Sequence, residues 1–95
     1  MAITLVEVDV VAIGSDTPSI TMNLDERSWG SYNSAGTSVF SSNQTCGGSG
    51  SQLTSFSNAG IAARAALFMT TPSSSASSGT LNAVMVTLYY RKNVE

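Results

Sequence analysis

The run 2–13, AITLVEVDVVAI, is apolar on both of its alternating faces, and few folds accommodate such a segment. Ile, Val, Thr and Leu dominate it, and β-branched side chains favour an extended backbone. In a strand, the even positions put Thr4, Val6, Val8, Val10 and Ala12 on one side, a nearly continuous core face. The odd positions put Ile3 and Leu5 at one end of the other side and Val11 and Ile13 at the other end, with Glu7 and Asp9 between them. A strand apolar on both faces calls for cover on both. In a chain of 95 residues, a single domain over 1–95, part of that cover is expected from another subunit.

The rest of the chain carries the same period. GSDTP at 14–18 is a turn by composition. Residues 19–24 alternate, with Ile20, Met22 and Leu24 on one side. The segment 23–30 holds the densest charge cluster, Asp25-Glu26-Arg27, and the single tryptophan, Trp29. After a loop-like 30–36 comes a short strand around Val39 and Phe40. SNQTCGGSGS at 42–51 reads as a flexible loop that buries little. Residues 52–57 alternate again, with Leu53 and Phe56 inward. The segment 58–69, NAGIAARAALFM, has helix-forming residues, yet it runs into Leu67-Phe68-Met69-Thr70-Thr71-Pro72 and is read as a strand with Ile61, Ala63, Ala65, Leu67 and Met69 on one face. PSSSASSG at 72–79 is a low-complexity loop. TLNAVMVTLYY at 80–90 is a strand with Val86 on a core face and Tyr89 and Tyr90 on opposite faces. Six or seven short strands with long Ser/Gly-rich loops predict an all-β fold: a small antiparallel sandwich or barrel of jelly-roll-like kind. The first and last strands are expected to pair.

Chemistry is constrained by what is missing. With no histidine, Ser-His and Cys-His nucleophiles and His-based zinc sites are excluded, and Lys92 and Cys46 are each the single residue of their type. No catalytic residues are assigned, an enzyme is not expected, and neither a cofactor nor a metal site is read from the sequence. Glu7 and Asp9, two apart on one strand face, are a conceivable ion site, though a solvated patch or a salt bridge accounts for them as well. A lone cysteine forms no internal disulfide and is expected to be a small, inert thiol, with a disulfide between copies as the alternative. Four basic residues form no stripe, so no nucleic acid partner is expected. No apolar run approaches a membrane span, and 1–13 lacks the basic start of a signal peptide, so synthesis in a host cytoplasm is expected.

Charged residues make up 11% of the chain, against about 25% in ordinary soluble domains. Ser, Thr, Gly and Asn must then cover the surface. Such a surface is cheaper to desolvate than a charged one, which suits a protein whose outside becomes an interface. Candidate interface residues are Ile3, Leu5, Trp29, Tyr32, Phe40, Tyr89 and Tyr90. Trp29 and Tyr32 beside Asn33 also permit a second reading, an aromatic plate for a carbohydrate in a binding or tail-fibre module.

The extended apolar N-terminal strand, the Ser/Gly/Thr-rich middle, the absence of histidine, the low charge and the closing TLNAVMVTLYYRKNVE together resemble the small structural proteins of tailed bacteriophages, especially capsid decoration (cement) proteins. The resemblance spans the whole chain as a style and rests on no diagnostic motif. It implies a β-rich homo-oligomer, with a trimer favoured, on the capsid surface of a virion. There it would bind the major capsid protein and clamp the shell.

Overall fold

The computed structural model describes residues 2–71 and 80–93. The fold is all-β, a sandwich of two antiparallel four-stranded sheets with no helix among the described residues. Eight strands follow in order: β1 (Ile3–Ser15), β2 (Ser19–Arg27), β3 (Thr37–Ser38), β4 (Gln44–Gly47), β5 (Ser51–Leu53), β6 (Gly60–Ile61), β7 (Ala66–Thr70) and β8 (Thr80–Lys92). The count exceeds six or seven because β3 and β6 are only two residues long. The loop expected at 72–79 lies outside the described residues.

Each sheet is organised by one long strand. β1 pairs with β8 from Ile3↔Lys92 to Ser15↔Thr80, so the first and last strands are neighbours. β8 fills one edge of β1, and β5 and β6 share the other. In the second sheet β2 pairs with β4 along 19–22, with β3 along 25–26 and with β7 along 23–27. The chain passes between the sheets through Asp16 and Thr17, both left-handed with φ of 58° and 55°, and the buried Pro18. Proline fixes the exit direction, and two consecutive left-handed residues turn the chain sharply enough to stack β2 over β1.

The core lies between the long strands. Leu5, Val8, Val10 and Ala12 of β1 face Ile20, Met22 and Leu24 of β2, with Val39, Phe40, Cys46 and Ile61 closing the ends. The alternation of β1 holds from Val8 onward and fails before it. A bulge between Leu5 and Glu7 makes Val6 an unpaired extra residue and shifts the phase by one. Leu5 is therefore buried, while Val6, expected in the core, is 52% exposed. Val86 is half-buried against the core opposite Val10.

Three further readings are corrected. Residues 44–47, expected in a flexible loop, form β4 because they pair with 19–22, which buries Cys46. The 58–69 segment is neither one strand nor a helix: β6 and β7 are separated by a turn in which Ala65 N–H donates to the Ala62 carbonyl and Arg64 takes φ 66°. Ala63 and Met69 of the expected shared face are exposed, whereas Ile61, Ala65 and Leu67 contact the core. Phe40 is not an interface residue. It is 1% exposed, stacked 5.6 Å from Phe56, and its backbone is clamped by Asn23, which accepts from Phe40 N–H at 3.2 Å and donates to its carbonyl at 3.1 Å.

Candidate functional site

Two surfaces hold the sequence-predicted site residues that remain accessible. The first is the β1–β8 ribbon. At about 3.4 Å per residue a thirteen-residue strand runs about 44 Å, nearly the full 47 Å length of the molecule. The register sets its faces. Val8, Val10 and Ala12 face the core opposite Leu88, Val86 and Val84. Glu7, Asp9, Val11 and Ile13 face outward opposite Tyr89, Thr87, Met85 and Ala83. Of the eight large hydrophobic residues exposed among the described residues, six lie on these two strands: Val6, Ile13, Met85, Leu88, Tyr89 and Tyr90. No residue of β8 is buried, and among the described residues its outer edge has no partner strand.

Of the candidates, Tyr89 and Tyr90 are about half exposed on this ribbon. Ile3 is half-buried against the core, and Leu5, like Phe40, is a core residue and not an interface residue. Val6, Met85 and Leu88 carried no expectation of exposure, and Ile13 was expected only as part of an apolar strand face that needs cover. One signal was available: from Thr80 to Tyr90 there is neither a charge nor a proline, the residues that ordinarily protect an exposed strand edge.

The acidic pair sits on the outer face of the ribbon. Glu7 titrates above the ordinary carboxylate range because a hydrogen bond shared with Asp9, partial burial and repulsion from the Asp9 charge all favour its protonated form. Asp9 Oδ1 is buried with no hydrogen-bond partner among the described residues. No group of three or more His, Cys, Asp or Glu among the described residues is placed to hold a metal ion.

The second surface is an aromatic corner built on the charged turn. Asp25, buried within the sheet, accepts from Gly36 N–H at 3.0 Å and from Arg27 Nε at 2.8 Å. The Gly36 amide and then the Arg27 guanidinium hold its carboxyl below the usual range. Arg27 also donates to the Tyr32 carbonyl at 2.7 Å and lies 4.5 Å over the Phe68 ring. Glu26 accepts from Asn58 Nδ2 and Ala62 N–H, both at 2.8 Å. The cluster therefore ties the 28–36 loop and the 57–62 segment to β2. Tyr32 packs 5.9 Å edge-on to Trp29 and 5.8 Å from Phe68, and its hydroxyl donates to the Arg64 carbonyl at 2.7 Å. Arg64 lies 5.4 Å over Trp29, which is 65% exposed. Trp29 to Ser34 line an open cavity of about 380 Å³. Trp29 and Tyr32 are thus together as expected. Arg64 had no sequence signal, because its turn contains neither glycine nor proline.

No protein-family model, curated protein or solved structure matches this chain. What the fold itself defines is a small antiparallel β-sandwich with one long, uncovered two-stranded ribbon.

Proposed function

We propose that the chain is a non-enzymatic structural subunit of a virion, a capsid decoration protein that packs against itself and against the major capsid protein. The observation that carries this reading is the β1–β8 ribbon, with its outer face apolar at both ends and its long edge lacking protective charge. Soluble monomers rarely leave a long apolar strand edge unguarded, because it templates pairing with another chain. The low overall charge, 11% of the residues, supports the same reading, since few ions have to be desolvated when the surface is covered. The phage setting comes from the sequence resemblance. The test is co-sedimentation of the purified chain with preassembled shells. Saturable binding at a fixed number of copies per capsomer is expected; an absence of binding at any concentration overturns the decoration role.

A second reading is favoured by one observation, the exposed Trp29 beside an open cavity. An indole face flanked by a guanidinium and by the loop's Asn33 and Ser34 suits the apolar face and hydroxyls of a sugar. A glycan array decides it. Binding that is lost in Trp29→Ala supports a carbohydrate module, and an empty array removes it.

A further inference from the structure

We propose that the outer edge of β8 is occupied by β8 of a second copy of this chain, antiparallel and related by a two-fold axis through Val86. The inference rests on the assembly reading above and specifies the partner of that surface.

Length selects the occupant. β8 offers thirteen residues of backbone, whereas β4, β5 and β7 have four, three and five. β1 is as long and β2 has nine residues, but both are already paired on both edges. Among the described strands only a second β8 has a free edge that matches the whole length, and an antiparallel pair of identical strands is self-complementary about one axis. Charge selects the direction. Arg91 and Lys92 are the only charges on β8 and lie at one end. A parallel pair would set them beside their own copies. The antiparallel pair separates them and carries them to the Thr80 end of the other copy. There Thr80 pairs with Ser15, and the exposed Asp16 follows in the chain. That carboxylate lies about two strand spacings, or about 10 Å, from the incoming strand, within reach of an extended arginine or lysine.

A second bulge leaves Asn82 unpaired between Ile13↔Ala83 and Gly14↔Leu81. Volume agrees with the proposed register between that bulge and the basic end. Tyr89 of one copy stands opposite Ala83 of the other, large against small on the outer face. Leu88 stands opposite Val84 and extends the core face, and Met85 stands opposite Thr87. Leu88, Tyr89 and Met85 are 37%, 49% and 53% exposed in the single chain. Tyr90, also on β8, is 52% exposed. These side chains and the strand edge make an interface smaller than the standard one of about 800 Å² per partner, which suits association in the micromolar range. Such a pair closes at two and therefore departs from the trimer implied by resemblance.

The experiment is sedimentation equilibrium on the full chain. Wild type is expected at twice the 9.8 kDa chain mass in the micromolar range. Met85→Lys combined with Thr87→Lys puts lysine opposite lysine twice and should weaken the pair about 100-fold. Met85→Glu combined with Thr87→Glu should do the same, and mixing the two variants should restore a dimer within about tenfold of wild type. A wild-type monomer at all concentrations, a trimer, or a mixture that stays monomeric overturns the proposal. Should either double variant fail to fold, the single variants Met85→Cys and Thr87→Cys decide it, because opposite Cα atoms lie about 4.5–5.5 Å apart. Mixed and oxidised, the two should cross-link in preference to either alone, and equal self-linking of each overturns the register. A dimer that never binds shells refutes the decoration role and leaves the strand pair standing; a monomer that coats shells does the reverse.

Discussion

Leu5 and Val6 are neighbours whose roles are the reverse of what strict alternation along 2–13 requires, and truncating each in turn tests the bulge between them. Leu5 is 3% exposed, and its N–H donates to the Ala59 carbonyl at 2.8 Å, so the surrounding backbone is fixed and collapses little around a void. Core Leu→Ala changes cost about 2–5 kcal/mol. Leu5 lies toward one end of the core, beside Ile61, which places Leu5→Ala near the middle of that range, about 3 kcal/mol. Val6→Ala removes side-chain area that is already half in water and should stay within about 0.5 kcal/mol. For a domain of this size 1 kcal/mol moves Tm by about 4–8 °C, so Leu5→Ala should melt about 12–24 °C below wild type and Val6→Ala within about 4 °C. The assay is thermal and urea unfolding at concentrations where the chain is monomeric, with m-values checked for equality. Equal losses in the two variants, or a larger loss in Val6→Ala, would refute the phase shift and restore the uninterrupted core face.

Three other outcomes follow from the side-chain chemistry. Asp25→Asn should cost about 1.5–3 kcal/mol at neutral pH, since a buried charge-assisted bond to Arg27 is lost. The folded-state pKa of Asp25 is depressed, so its contribution is fully present above the unfolded value of about 3.9 and fades as pH falls through the folded value. The gap between wild type and variant in urea midpoints should therefore be flat from pH 7 to about 4 and narrow below that. Glu7 has the opposite sign: its folded pKa is raised, so wild type loses stability relative to Glu7→Gln as pH rises through that value, and the difference vanishes below the unfolded value of about 4.3. Tm difference curves for Glu7→Gln between pH 3.5 and 7.5 check this. Cys46→Ser places a hydroxyl where the thiol is fully buried and its pKa pushed up by burial, and should cost about 1–3 kcal/mol in urea unfolding, more than the sequence suggested for an inert thiol.

Periodicity exposed the skeleton of this fold. The β-branched runs at 2–13 and 80–90 are β1 and β8, and Ile20, Met22 and Leu24 face the core as their spacing requires. What stayed hidden was decided by pairing across the chain. The Leu5–Glu7 bulge has no glycine to announce it, and it shows only in register against Tyr90 and Tyr89. β4 lies in a glycine-rich stretch whose local preference is a loop, and it is extended because 19–22 supply its partners. The reversal at Arg64 is made by a residue that rarely turns, held from outside by the Tyr32 hydroxyl on its carbonyl. At the candidate site, Trp29, Tyr32, Tyr89 and Tyr90 were legible as aromatics in polar surroundings. Leu5 and Phe40 were misread as surface because burial in a sandwich depends on which sheet covers a residue, which the local sequence does not encode.

The proposed assembly requires a second chain to cover the β1–β8 ribbon that the single chain leaves open. Amide hydrogen exchange across Val84–Leu88 addresses this directly, measured on the full chain from nanomolar to near-millimolar concentration. In the isolated sandwich, amides of β8 that point away from β1 face water and should exchange rapidly, while their alternate neighbours bonded to β1 are protected. With a second chain on that edge, the fast set becomes protected as concentration rises, in step with the change in mass. A fast set that stays fast at every concentration, and equally so when capsid shells are added, would contradict it.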